Sequence, residues 1–159
     1  MSRKRKFILG IMLVLAITIL TAWPNITNNS RKMIVKRTLE IALVEKKLPD
    51  YELLNKEDSI TLSLENIDPE TIPKIPGVNF IVLSPELIQE KANNEGDVLY
   101  LRFSNLKVHF LQSSVSLDNS WATAVKSKKG YLSGGGFTIW FFNVLGNWIN
   151  SPIISAWIL

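Results

Sequence analysis

The stretch "DVLYLRFSNLKVHFLQSSVSLDNSWATAV", Asp97–Val125, decides the fold. Leu99, Leu101 and Phe103 alternate with polar neighbours, the phase shifts, and Leu106, Val108 and Phe110 continue the pattern. Such alternation marks a strand with one buried face. The change of phase at Ser104–Asn105 predicts a bulge or bend. In the second half Val115, Leu117, Asn119 and Trp121 share one face, and Ser116, Asp118 and Ser120 share the other. Two strands joined by so short a link pair antiparallel. Tyr100 and Arg102 lie on one face of the first strand, so pairing would set Arg102 against Asp118 or Ser120. Two accounts fit that placement: a cross-strand ion pair of about 0.2–1 kcal/mol, or a polar patch inside a ligand pocket with Trp121 as its aromatic wall.

Downstream, "YLSGGGFTIWFFNVLGNWINSPIISAWIL", Tyr131–Leu159, carries no charged residue. A phosphate-binding loop would lead its glycines into a helix, usually beginning Lys-Ser or Lys-Thr; here "FTIWFF" follows, rich in strand-forming residues. A second membrane span would have to bury Asn143, Asn147, Asn150, Ser151 and Pro152 in hydrocarbon, at high cost. The reading that remains is a hairpin of two strands turning at "NVLGN", with the glycines marking a bulge, a curve or a close backbone approach. Phe137, Ile139 and Phe141 then fill the core while Trp140 and Phe142 look outward. An apolar outer face predicts contact with an envelope partner, a second copy or the membrane surface.

Upstream, "SRKMIVKRTLEIALVEKKLPD" reads as a helix capped by Ser30 and stopped by Pro49, with a broad apolar stripe to lay on a sheet. Its Arg31, Lys32, Lys36 and Arg37 form a basic face suited to solvent or anionic headgroups. "DSITLSLENI" is a short strand with Ile60, Leu62 and Leu64 inward. "DPETIPKIPG" is an irregular connector, and "VNFIVL" a further apolar run. "SPELIQEKANNEG" is a short helix with Ser84 as N-cap, Pro85 at its first position and Gly96 past its end. Helix, strand, helix and then a curved four-stranded antiparallel meander define an α+β domain, with the sheet wrapped around helices on one face.

The chain of 159 residues has room for one domain and an appendage. "MSRKRK" precedes an uncharged run from Phe7 to Trp23, "FILGIMLVLAITILTAW", which is at the lower edge of bilayer-spanning length. The basic cluster predicts a cytoplasmic N-terminus and an extracytoplasmic remainder. The division is 1–23 for basic tail and anchor, 24–30 for a linker and 31–159 for the domain. The alternative is a cleaved signal peptide ending at Ala22, which would yield a secreted protein; bulky Leu20 and a following Trp-Pro fit that cleavage poorly.

Arg3, Lys4, Arg5 and Lys6 supply four of the 18 positive charges, which leaves 14 to balance 14 acidic residues. The domain is therefore neutral, and nucleic acid is not an expected partner. Cysteine is absent, which excludes disulfides, thiol catalysis and lipoprotein acylation. His109 is the single histidine and falls on the polar side of its strand. Glu65, Asp68 and Glu70 gather near a proline-rich loop without the glycine-anchored spacing of a cation site. Neither a metal nor a cofactor is expected.

The segments "VLSPELIQEKANNEGDVLYLRFSNLKV", "VSLDNSWA" and "GYLSGGGFTI" resemble a group of bacterial membrane-anchored or secreted proteins without an assigned activity. The element order is similar to the cone-shaped nuclear transport factor 2-like (cystatin-like) fold. The likeness spans roughly Ile60 to Ile139. In that group the next hairpin carries a lysine-x-glycine-x-tryptophan pattern, of which only Gly146 and Trp148 are kept here. The resemblance implies a cone with a concave interior and transfers no catalytic role. The expected function is an anchored, non-catalytic binding or assembly module acting through Trp140 and Phe142. The rivals are a small-ligand binder or enzyme using Tyr100, Arg102 and Trp121, and the secreted form.

Overall fold

The computed structural model describes residue 12 and residues 28–54, 58–124, 134–153 and 155–158. The predicted anchor therefore lies, Met12 apart, outside the described residues. Among the described residues no helix is long and apolar enough to cross a membrane.

Among the described residues the protein is α+β with one mixed sheet of seven strands. Helix α1 covers residues 28–44, its final turn Glu40–Val44 widened to a π-helix. It is already under way at Asn28, so Ser30 is a buried interior residue and not the expected cap. Its stripe of Ile34, Val35, Leu39, Ile41, Ala42 and Leu43 is fully sequestered. The extra residue in the π turn allows three consecutive side chains, Ile41 to Leu43, to be buried together. The helix ends through a left-handed Lys46 (φ 55°), which lets Lys47 N donate to Ile41 O at 3.1 Å. A single turn, α2 (Tyr51–Leu54), follows.

Strand β1 (Ile60–Ser63) pairs parallel with β2 (Phe80–Leu83) on one side and with β3 (Val98–Val108) on the other. A 3-10 turn at Pro69–Thr71 lies in the connector between β1 and β2. Helix α3 (Pro85–Glu95) carries the chain from β2 over β1 to β3, as parallel strands require. Ser84 Oγ caps it, accepting from Leu87 N at 3.4 Å, and Gly96 ends it at φ 104°. The expected meander is present from β3 onward: β4 (Gln112–Ala122), β5 (Gly135–Val144), then β6 (Asn147–Asn150) and β7 (Ser155–Ile158), all antiparallel. The bulge falls where the phase change put it, between Phe103 and Asn105. Strands β6 and β7 lie along the same side of β5 and form one interrupted edge. Pro152, which has no N–H to donate, sits in the interruption.

The sheet and its helices differ from expectation in two ways. First, the sheet is mixed and longer than a four-stranded meander, because β1 and β2 extend it by parallel pairing. Second, the helices do not share a face. Leu101, Phe103, Val115, Leu117, Phe137, Ile139 and Phe141 pack in the core cluster that includes the α1 stripe. Val98 and Ala122 point the other way and join Ile88 and Ala92 of α3 in a second, smaller cluster, with Leu83 and Tyr100 against it. The crossover from β2 to β3 had to pass over one face, and α1 already occupies the first. Phe110 also departs from its predicted inward phase, since β3 ends at Val108 and leaves it exposed in the turn.

The glycines serve close approach. A Cβ on Gly136 would lie 2.5 Å from Asp118 Oδ1, 2.6 Å from Trp157 Cζ2 and 2.8 Å from Leu117 O. One on Gly135 would lie 2.9 Å from both the Pro49 Cβ and Trp157 O. We expect Gly136→Ala to destabilise the fold by about 1–3 kcal/mol through overpacking, read as a lower urea midpoint, while Lys74→Ala on the exposed connector leaves it unchanged.

Candidate functional site

Among the described residues, the face of the sheet opposite α1 is covered by α3 at one end only. From there a row of polar pairs crosses the open part. Arg102 stands opposite Asp118, with Nε 3.6 Å from Asp118 Oδ2 and Nη1 3.6 Å from Glu65 Oε2. Asn105 Nδ2 donates to Ser114 O and Oγ, each at 3.2 Å, and the Ser116 and Thr138 hydroxyls are 2.8 Å apart. Beyond them the character changes to Trp140 and Phe142, whose rings lie 6.3 Å apart and tilted by 54°.

The three residues proposed to line a pocket do not converge. Tyr100 stands opposite Ser120 and packs against the α3 cluster. Arg102 is two residues along on the same face, held between two carboxylates. Trp121 pairs with Leu99, in phase with Leu117 and Asn119, and so belongs to the α1 side of the sheet. The sheet itself therefore separates Trp121 from Arg102. His109 is exposed at the end of β3. Among the described residues no three acidic or imidazole side chains gather as a metal site. Glu65 is instead a partner of Arg102.

Asp118 is the unusual group. It is 7% exposed, its Oδ1 has no protein hydrogen-bond partner, and Gly136 leaves the space it occupies. Burial pushes its carboxyl pKa above the ordinary value; the Ser104 side chain and the Arg102 guanidinium oppose this without reversing it, and Glu65 adds to it. A carboxyl with a raised folded-state pKa favours the folded protein in its protonated form, and that contribution is lost as pH rises through the folded pKa. Comparing urea midpoints of the native protein and Asp118→Asn across the acidic range should therefore show the difference moving against the native protein as pH increases. A constant difference would mean that Asp118 titrates normally.

A second feature had no clear signal in the sequence. The β3–β4 and β5–β6 hairpin tips lie side by side. Asn143 braces them: its N–H donates to Leu111 O at 2.8 Å, its Nδ2 to Phe110 O at 3.2 Å, and its Oδ1 accepts from Gly146 N at 2.8 Å. The tips present Phe110, Leu111, Val144 and Leu145 to solvent, beside Phe142 and Ile149. Leu145 occupies the apex of β5–β6 with φ 53°, followed by Gly146 at 88°. Both central residues of this two-residue turn have positive φ, a geometry that favours Asn-Gly. A leucine there is strained by about 1–2 kcal/mol, yet its side chain is 98% exposed and packs on nothing in the fold. We expect Leu145→Asn to raise the unfolding free energy by about 1 kcal/mol, measured by chemical denaturation.

No protein-family model, curated protein or solved structure matches the chain.

Proposed function

We propose that the protein is a membrane-anchored, extracytoplasmic module that works by contact and not by catalysis, its working surface being the uncharged end of the sheet. The observation that carries this reading is the pair of braced hairpin tips with a strained, outward-facing Leu145. The sequence around them supports it: residues 108–117 and 131–159 contain no Asp, Glu, Lys or Arg. Trp140 and Phe142 extend the same surface along β5. The basic leader and the Phe7–Trp23 run support the anchor and its orientation. The cone-like reading of the domain stays part of this proposal, with α1 lying against the concave side.

A small-ligand reading draws on the desolvated Asp118 beside Arg102. It is weaker, because Tyr100 is committed to the α3 cluster and Trp121 to the other face.

The cysteine-free chain makes the anchored topology directly testable. A cysteine introduced at Glu95 should react with a membrane-impermeant maleimide in intact cells, one introduced at Ser2 should not, and the protein should stay with membranes through an alkaline wash. A released chain beginning at Trp23 would instead establish the secreted form.

A further inference from the structure

We propose that β7 is a proton-operated strap: Trp157 stays seated over the Asp118 carboxyl while that group holds its proton, and ionisation loosens β7 from β5. The strap lies away from the hairpin tips, at the Gly135 end of β5, and works alike in an anchored or a released chain.

A row of residues crosses the sheet here: Arg102 on β3 stands opposite Asp118 on β4, Asp118 opposite Gly136 on β5, and Gly136 opposite Trp157 on β7. Position 136 has no Cβ, so the third place in this row is open. Asp118 Oδ1 and Trp157 Cζ2 fill it from the two sides, 2.5 and 2.6 Å from where a Cβ would stand. The carboxyl oxygen and the indole edge therefore share one space. The two oxygens of Asp118 differ. Oδ2 is 3.6 Å from Arg102 Nε, whereas Oδ1 is buried and has no hydrogen-bond partner in the protein. Trp157 is also the main hold of β7 on the sheet. Ser155, Ala156 and Ile158 are exposed, and the strand pairs with β5 alone, from Gly135 to Thr138. So β7 rests on a short ladder and one half-buried side chain, and that side chain lies against the one acidic group of β4. Edge elements held this lightly open locally at low free-energy cost.

A neutral carboxyl loses little when water is kept from it; an ionised one loses much. The ionisable groups facing Asp118 are Arg102 from β3 and Glu65 from the turn after β1. Arg102 attracts the carboxylate but is shared with Glu65, whose own charge repels it. Tyr100, next on that face of β3, is neutral throughout the acidic range. β5 and β7 bring no compensating charge, since residues 131–159 contain no Asp, Glu, Lys, Arg or His. An ionised Asp118 therefore recovers hydration at Oδ1 most readily by displacing Trp157. Burial holds its carboxyl above the ordinary range while β7 is closed, and water admitted by an open β7 returns it toward that range. The closed form thus has the higher pKa. Its advantage is whole below the open-form pKa and is lost as pH rises through the closed-form pKa. A pKa difference of one between the two forms makes opening about tenfold easier. Opening bares a short stretch of β5 edge, Gly135 to Thr138, together with Trp157.

The test uses the full chain in detergent micelles, labelled with 5-fluorotryptophan; the resonance of position 157 is the one lost in Trp157→Phe. As pH rises through the acidic range, that resonance should move toward its solvent-exposed position. The β7 amides that pair with β5 should lose about tenfold in protection from hydrogen exchange, after correction for the intrinsic pH dependence of exchange. The β6 amides, on the same side of β5, should keep theirs. In Asp118→Asn both signals from β7 should be flat with pH. Glu65→Gln, at a half-exposed turn position, tests the same coupling without touching the buried row. It removes the neighbouring negative charge and frees Arg102 for Asp118, so the midpoint of the β7 transition should move to lower pH. A resonance at 157 that titrates while β7 stays protected overturns the strap, because the carboxyl then ionises beneath a closed strand. So does β7 protection that is constant with pH, that changes equally in Asp118→Asn, or that falls in step with β6. A midpoint unmoved by Glu65→Gln overturns it too.

Discussion

One buried amide ties the architecture together. Asn119 lies on β4, on the face toward α1, and is almost fully buried. Its Nδ2 satisfies the carbonyl of Pro49 just past the end of α1, and its Oδ1 accepts from the N–H of Gly135 at the start of β5. A polar side chain in such a place is tolerated only when its groups are satisfied. Here satisfying it fixes three things together: where the chain leaving α1 is held, where β5 begins and how closely the chain at 134–136 approaches β4. A Cβ on Gly134 would lie 2.9 Å from Asn119 O. The glycines are thus a consequence of this junction, and the room they leave is filled by the Trp157 indole and the Asp118 carboxylate.

Much of this was legible in the sequence, and the exceptions have physical reasons. Alternation located β3, β4 and β5, their bulge and their buried faces, because a half-buried strand writes its orientation into every second residue. Ser84, Pro85 and Gly96 bounded α3 through cap chemistry that is local by nature. Parallel pairing of β1 with β2 and β3 was not legible, since short apolar strands carry no mark of which neighbour they will accept. The face taken by α3 depended on α1 having claimed the other. The sequence set Arg102 against Asp118 or Ser120 and the register selects Asp118, while the loss of Trp121 from their neighbourhood follows from its phase. Leu145 reads as an ordinary apolar residue until its φ is known.

The two ends of the open sheet face divide their roles. Near α3, polar pairs between strands and the small Ile88–Ala92 cluster secure the fold. Toward the tips, side chains are apolar, outward-facing and held on a frame stiffened by Asn143. The residues that secure the fold are thereby separate from the exposed apolar ones, and the apolar end can change composition with little effect on the core built by Phe103, Phe137 and Phe141.

The broken outer edge of the sheet has a consequence for crowding. An exposed β-edge is a template for adding strands from other molecules. On one side this sheet ends in β2, only four residues long. On the other, β6 and β7 are also four residues each, separated by Pro152, and Ser151 N turns back to Trp140 O at 2.8 Å. Neither border offers a long, regular row of free donors and acceptors. Copies that meet through bare aromatic and aliphatic side chains are thus denied the backbone pairing that would turn a chance encounter into a growing fibre.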